Sequence, residues 1–399
     1  MYLNKKFGIY IHWPFCLSKC PYCDFSSIID KSFDENILVE AFLVELNYYH
    51  QHTKNEVVTS IFFGGGTPSL LNPKNIEKII NHITKKWTIS DNVEISLEAN
   101  PNSYKKDLFK NIASAGVNRL SLGVQALNNK DLKFLGRTHN LDDAFQSIEE
   151  IKTHFNNQSI DLIYTRPNQN IKDWEKELKL ATSFNVKHIS LYQLTIEEET
   201  AFYKLYNEGK FTLPNEDESQ ELFEFTKNYL SDFGYDKYEI SNFAKSGFES
   251  KHNLIYWQGF NYLGIGPASH GRLNIDNKII ASENPKNITE YLKNISEFKH
   301  CILNPTQADD RAIELILMGF RLKNGIDKTI FKSIIGKDLE NYLDSNKLKQ
   351  FIDEGLVENS AKKIRATNKG MLLLNYIIEE IIYWLSIYSI KSLNSDSFE

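Results

Sequence analysis

The chain has 399 residues, of which 41% are hydrophobic and 25% charged, and it carries a formal net charge of −6. This is the composition of a folded globular protein large enough for a main core and accessory domains, so a disordered or fibrous chain is excluded. The acidic balance argues against nucleic acid as the main partner, because phosphate binding needs a basic surface.

In chain order, Met1 to Phe7 is polar and lysine-containing, without the apolar stretch of a signal peptide, and a cytoplasmic location is expected. Apolar, β-rich runs follow at Gly8–Trp13, Val57–Phe63, Val93–Leu97, Arg119–Val124, Ile160–Tyr164 and His188–Leu191. Between them lie helical patterns at Glu35–His50, Asn75–Trp87, Lys105–Ala115, Asp142–His154 and Asp173–Phe184. This alternation predicts βαβ units and a parallel sheet, as a curved, incomplete barrel or an open doubly wound sheet. The polar and glycine-rich features fall at or near the C-terminal ends of the strands, the edge where parallel α/β folds bind ligands. They are the cysteines, Gly64-Gly65-Gly66-Thr67-Pro68, Glu98, Gln125, Asp161 and Gln193.

Beyond residue 200 the rhythm stops. An acidic helix, Glu216–Tyr229, precedes a strand-like Tyr235–Ile240 and an aromatic segment, His252–Gly271. From Pro305, helices at Asp309–Phe320 and Lys347–Glu354, a hairpin of Leu356–Glu358 with Lys363–Thr367 and a last helix give the order of a winged helix, expected to pack rather than touch DNA. The predicted division is 1–200, a linking segment 201–304, a winged-helix-like domain 305–391 and a frayed tail 392–399. Met371 to Ile390 is apolar, yet Glu379 and Glu380 in its middle favour a buried or amphipathic helix over a membrane span.

Of four cysteines, three lie within eight residues as Cys16-x3-Cys20-x2-Cys23, which reads as a metal site in a reducing compartment rather than a disulfide scaffold. Zinc sites and electron-transfer iron–sulfur clusters take four protein ligands, and His12 is the available fourth for zinc. Three thiolates on a cubane instead leave one iron open to a chelating substrate. Cys301 is isolated and is expected as a buried small hydrophobe.

The stretch Gly8-Ile-Tyr-Ile-His-Trp-Pro-Phe-Cys16-Leu-Ser-Lys-Cys20-Pro-Tyr-Cys23-Asp-Phe resembles the signature of the radical S-adenosylmethionine (SAM) superfamily. It is most similar to the branch that holds oxygen-independent coproporphyrinogen III oxidases and the HemW heme chaperones, and the resemblance extends over about residues 7 to 385. It implies a partial (β/α)6 barrel holding a [4Fe–4S] cluster on Cys16, Cys20 and Cys23. SAM would chelate the open iron and be cleaved to methionine and a 5′-deoxyadenosyl radical. Tyr10, Tyr22, Gly65, Gly66, Thr67 and Glu98 are implied as SAM-binding, with Glu98 accepting from the ribose hydroxyls. Gln125, Arg137 and Asp161 match positions around a second SAM or the substrate, where Arg137 could grip a carboxylate or propionate. One departure stands out: relatives continue Asp-Leu-Ile-Tyr with Gly-Leu-Pro, whereas this chain reads Thr165-Arg166-Pro167, which puts a second-SAM role of this loop in doubt.

Within that branch the residues favour the chaperone. The oxidase has a further cysteine two positions after the third ligand, where this chain has Asp24-Phe25, and an extension before the signature tyrosine, where nine residues precede Tyr10. His252-Asn253-Leu254-Ile255-Tyr256-Trp257 resembles the chaperones' His-Asn-x-x-Tyr-Trp motif, implying heme contact by His252, Tyr256 and Trp257. The alternative for these three is plain core packing. The implied partners are heme, heme-accepting proteins and a reductant such as flavodoxin or ferredoxin; peripheral membrane contact and a homodimer stay open. The alternative activity is radical decarboxylation of coproporphyrinogen III to protoporphyrinogen IX.

Overall fold

The computed structural model describes residues 6–382 except 31, 102–106, 277, 298, 300 and 301. Cys301, the end of the apolar Met371–Ile390 stretch and the tail lie outside the described residues. The first half alternates strands β1 (Phe7–Trp13), β2 (Val57–Gly65), β3 (Thr88–Ala99), β4 (Arg119–Gln125), β5 (Asn157–Tyr164) and β6 (His188–Gln193) with helices α1 (Glu35–Thr53), α2 (Pro73–Lys86), α3 (Leu108–Ser114), α4 (Asn129–Phe134), α5 (Leu141–His154) and α6 (Ile171–Ser183). The six strands are parallel and lie in the order 1-2-3-4-5-6. A doubly wound sheet reverses direction at a switch point, but here every crossover steps the same way, which puts the helices on one face and curls the sheet into a partial barrel. The order of the strands thus settles what periodicity left open.

Asparagine starts many of these helices. The side chains of Asn72, Asn128, Asn140, Asn170 and Asn215 each accept a backbone N–H in the first turn of the helix that follows. Each of these caps contributes about 1 kcal/mol.

The second half contains α7 (Ala201–Asn207), α8 (Glu216–Asp232), β7 (Asp236–Lys237), β8 (Asn242–Ala244), α9 (Lys251–Trp257), β9 (Asn261–Ile265), β10 (His270–Ile275), β11 (Lys278–Glu283), α10 (Ile288–Ser296) and β12 (Ile302–Pro305). The segment read as a linker extends the sheet at both edges. β9 pairs parallel with β1 and is followed by antiparallel β10, β11 and β12, while β8 and β7 add to β6. Glu45 of α1 fastens this addition: fully buried, it accepts from Asn284 Nδ2 and the Tyr291 hydroxyl at 2.7 Å and from Gly266 N–H at 3.0 Å. The strand-like Tyr235–Ile240 pairs only over Asp236–Lys237 before the chain turns back into β8.

The C-terminal unit has α11 (Ala308–Gly319), β13 (Ile326–Asp327), α12 (Lys328–Ile335), α13 (Ser345–Asp353), β14 (Val357–Asn359), β15 (Lys363–Ala366) and α14 (Leu374–Ile381) around its own core, with a three-stranded antiparallel sheet in the order β13-β15-β14. This is the winged-helix arrangement expected, plus α12, which the sequence reading missed. Its signals were present: Asp327 caps its start, and Gly336 ends it at φ +82°. No helix among the described residues is long and apolar enough to cross a membrane.

Candidate cofactor site

The strands of the barrel alternate strictly, and the alternation sorts chemistry by face. Ile9, Ile11, Leu97, Leu120, Leu122, Ile160, Leu162 and Ile189 lie buried in the apolar core. The opposite, inner face carries Tyr10, His12, Ser60, Glu94, Ser96, Glu98, Arg119, Ser121, Ser159, Asp161, His188 and Ser190, a polar concavity enclosed by the sheet.

The cysteine loop leaves the end of β1. Cys16 N–H donates to Ile28 O at 2.9 Å and Ile28 N–H to Pro14 O at 2.8 Å, closing the loop at its base. The glycine-rich segment after β2 is laid directly against it, with Gly66 N–H donating to Trp13 O at 2.6 Å and Thr67 N–H to Phe15 O at 2.9 Å. A Cβ on Gly66 would sit 2.7 Å from Phe15 O, and one on Gly65, which has φ +104°, 2.7 Å from the His12 ring. What these glycines approach here is the protein's own cysteine loop. His12 lies behind it, its Nε2 at 2.9 Å from Ser26 O and its Nδ1 at 3.1 Å from the Tyr10 hydroxyl. A carbonyl only accepts, so Nε2 bears the proton. Both ring nitrogens are engaged, and His12 does not complete a zinc site.

Each of the first two thiols has a donor turned toward it. Thr67 Oγ1 lies 3.4 Å from Cys16 Sγ and is itself held by Asn100 Nδ2 at 3.1 Å. Arg137 reaches Cys20 Sγ at 3.3 Å and the Tyr22 hydroxyl at 3.4 Å through Nη1, and Gly123 O at 2.9 Å and Asn100 Oδ1 through Nη2. Its buried Nε has no hydrogen-bond partner among the described residues. Burial, followed by the nearby Cys20 and Cys16, pushes the Cys23 thiol up to about 11, against a backbone N–H bond that lowers it. Three mutually interacting thiols beside a guanidinium suit a polynuclear cluster, which demands thiolates and spreads them over different irons. No three ligating side chains among the described residues converge on one point, as a single-ion site requires. The donor set fits a [4Fe–4S] cluster. Asn100, which links both contacts, carries no sequence signal of its own beyond lying two residues after Glu98.

Glu98 and Asp161 face each other across the concavity closely enough to interact. Burial, then Asp161, pushes the Glu98 carboxyl up to about 8, opposed by a bond from Gly65 N–H and by Arg119. Asp161 lies within β5, as the predicted strand Ile160–Tyr164 implies, and projects inward from mid-strand, accepting from Ser121 at 3.0 Å and Ser159 at 3.3 Å. Burial raises its carboxyl above the usual range. Gln125 ends β4 at φ +72°. Thr165 takes φ +56°, the region glycine would adopt freely, and is held there by its hydroxyl, which accepts from Leu194 N–H at 3.0 Å and donates to Tyr164 O at 2.6 Å. The adjoining Arg166 is fully buried in ion pairs with Glu177 and Asp131, so this loop is fixed by its own side chains.

The His-Asn-x-x-Tyr-Trp segment forms α9, and the helix splits the motif between two faces. His252 is buried toward the sheet, with Nδ1 at 2.7 Å from Ser60 Oγ and Nε2 at 2.7 Å from the Tyr256 hydroxyl. Burial, then Arg119, drops its imidazole to about 3, so it is neutral. Its ring stacks on Phe62 at 5.1 Å, and Phe62 on Tyr10 at 6.2 Å, so His252 adjoins the cofactor side of the barrel. Trp257 points the other way, into a cavity against the C-terminal unit. Glu94, from β3, fixes the start of α9 by accepting from Lys251 N–H at 3.1 Å and His252 N–H at 3.2 Å.

Residues 10–181 match the Radical SAM superfamily and residues 307–373 the HemN C-terminal domain, which sets the class: a radical SAM barrel, implying a [4Fe–4S] cluster and SAM, joined to a HemN-type C-terminal unit. The coproporphyrinogen III oxidase HemN from Escherichia coli shares the fold at a TM-score of 0.79 and 20% identity, covering 96% of this chain and 92% of that one. Heme chaperone HemW of Buchnera aphidicola subsp. Schizaphis graminum is 37% identical over 381 residues, 95% of this chain and 99% of the relative, and that of Bacillus subtilis 33% identical over 372 residues, 92% and 97% respectively. The chain belongs to the HemW family of heme chaperones.

Proposed function

We propose that this protein is a cytoplasmic heme chaperone that holds a [4Fe–4S] cluster on Cys16, Cys20 and Cys23, binds SAM beside it, and receives heme for transfer to heme-requiring proteins. Tyr10, Tyr22, Gly65, Gly66, Thr67, Glu98, Gln125, Arg137 and Asp161 form the proposed SAM surround. Glu98 would accept from ribose hydroxyls, and Arg137 would hold the electrostatic balance of the thiolates. When bound, the cluster and SAM supply reductive cleavage of the sulfonium bond. The protein's own part is to keep the thiols together, exclude water and orient the cofactor.

The observation that carries the heme reading is α9: in a chain matched nearly end to end by heme chaperones, the His252–Trp257 segment packs beside Tyr10 and Phe62 on the cofactor side. For His252 to ligate iron, Nε2 must exchange the Tyr256 hydroxyl for the metal. At rest, the ring open to a porphyrin is Trp257. The likeness to HemN concerns the fold and gives no reason to prefer the oxidase.

The test is to incubate the anaerobically reconstituted protein with coproporphyrinogen, SAM and a flavodoxin- or ferredoxin-type reductant, in parallel with a heme titration and transfer to an apo-hemoprotein. Saturable heme binding and transfer without decarboxylation is the expected result. Stoichiometric formation of protoporphyrinogen would overturn the chaperone assignment.

A further inference from the structure

The cavity beyond Trp257 has a volume of about 250 Å³ and lies between α9 and the C-terminal unit. It is not loose packing, because the seam around it is tight. Arg311 Nη2 donates to Gly259 O at 2.9 Å and Lys323 N–H to Tyr238 O at 3.0 Å. Gly259, at φ +75°, lies so close to the Leu315 side chain that no Cβ fits between them. The walls are the Trp257 ring and Leu254 on one side and Ile330 and Phe331 on the other, with Glu249 and Asp327 also in the lining and Lys363 as a cation.

We infer that this cavity takes one apolar edge of a heme, against Trp257, with the propionate edge directed out to solvent. The inference rests on the heme reading above and adds where and in which orientation the porphyrin enters. Three observations carry it. The helix that bears the heme motif offers Trp257, and not the hydrogen-bonded His252, to an open space. Pockets that enclose a drug-sized ligand run to about 300–1,000 Å³, so this one holds part of a macrocycle and leaves the rest outside. A cargo held by one edge stays within reach of an acceptor. Glu249 and Asp327 outnumber Lys363 in the lining, so the net charge disfavours propionates and selects the methyl- and vinyl-bearing edge for entry.

The test uses the cluster-loaded full chain titrated with heme and, separately, with an iron porphyrin carrying four propionates. Ile330→Trp and Leu254→Trp each fill the cavity from opposite walls without touching the cysteine loop. The expected result is heme binding weakened about tenfold or more in both, a loss of roughly 1.4 kcal/mol, with cluster absorbance and melting unchanged. The tetrapropionate porphyrin should bind the wild type weaker by a similar factor. Unchanged heme affinity in either folded variant overturns the cavity site, and equal affinity for the two porphyrins overturns the orientation. Absence of heme binding by the wild type, in contrast, removes the chaperone reading itself.

Discussion

His12 Nε2 donates to the carbonyl of Ser26 across 2.9 Å, tying the first strand of the barrel to the chain three residues beyond Cys23. His12 is buried and the bond partly so, and a hydrogen bond of this kind contributes about 1 kcal/mol. His12→Phe keeps an aromatic ring in place and removes this bond together with the one to the Tyr10 hydroxyl. The variant should still assemble a cluster but lose iron to a ferrous chelator about fivefold faster, followed by visible absorbance. Complete failure to assemble would instead make His12 a ligand.

Serine at Cys16, Cys20 or Cys23 should each abolish the [4Fe–4S] spectrum, while Cys301→Ser leaves it intact. Iron and sulfide analysis after anaerobic reconstitution decides this. A full iron complement in Cys20→Ser would end the cluster assignment.

Arg137 places a cation and a donor 3.3 Å from Cys20 Sγ. Hydrogen bonds and positive charge at a cluster sulfur favour the reduced state, so Arg137→Leu should shift the cluster's midpoint potential to more negative values. An EPR-monitored redox titration measures it. A potential unmoved or raised would mean that the guanidinium turns away from the cluster when it is bound.

Glu98 has its carboxyl raised to about 8 by burial and Asp161, so at neutral pH its folded form is largely protonated. Accepting ribose hydroxyls favours the ionised form. SAM binding should therefore release a proton below about pH 8 and tighten as pH rises toward that value. Calorimetry in buffers of different ionisation enthalpy detects the proton, and Glu98→Gln should bind SAM more weakly and without the pH dependence. Proton uptake on binding would rule the role out.

Glu45 is fully buried yet meets three donors, and its carboxyl is pushed up to about 7 by burial. A carboxyl with a raised folded pKa stabilises the fold most below the unfolded value of 4.5, and that contribution falls as pH rises toward 7. In Glu45→Gln an amide NH2 must face a donor, which costs about 1–3 kcal/mol. The melting temperature should drop, and the part of its pH dependence between about 4.5 and 7 that Glu45 supplies should vanish.

Much of this protein is legible in its sequence because strands are written in a local code. The alternation Leu120-Ser121-Leu122, Ile160-Asp161-Leu162 and Ile189-Ser190-Leu191 specifies extended chain with one dry and one polar face, whatever surrounds it. The cysteine spacing is equally local, because three thiols on one short loop need no distant partner to be recognised. The family resemblance, carried by contiguous strings, follows from the same property.

The rest depends on which distant residues meet, and no local pattern encodes that. β9 joins the sheet by pairing with β1, some 250 residues away, where Gly266 lets the chain pass close to His12 and Phe42 and Glu45 fastens it from α1. The family resemblance brings Arg137 to the site as a grip for a carboxylate, but only the fold sets it against Cys20 and Asn100. The His-Asn-x-x-Tyr-Trp string reads as one motif, yet a helix turns residues 252 and 257 about 140° apart, at roughly 100° per residue over five positions. The sequence determined that His252, Tyr256 and Trp257 share a helix; only the packing of α9 between the barrel and the C-terminal unit decided that the histidine is closed off by Ser60 and Tyr256 while the tryptophan faces a cavity.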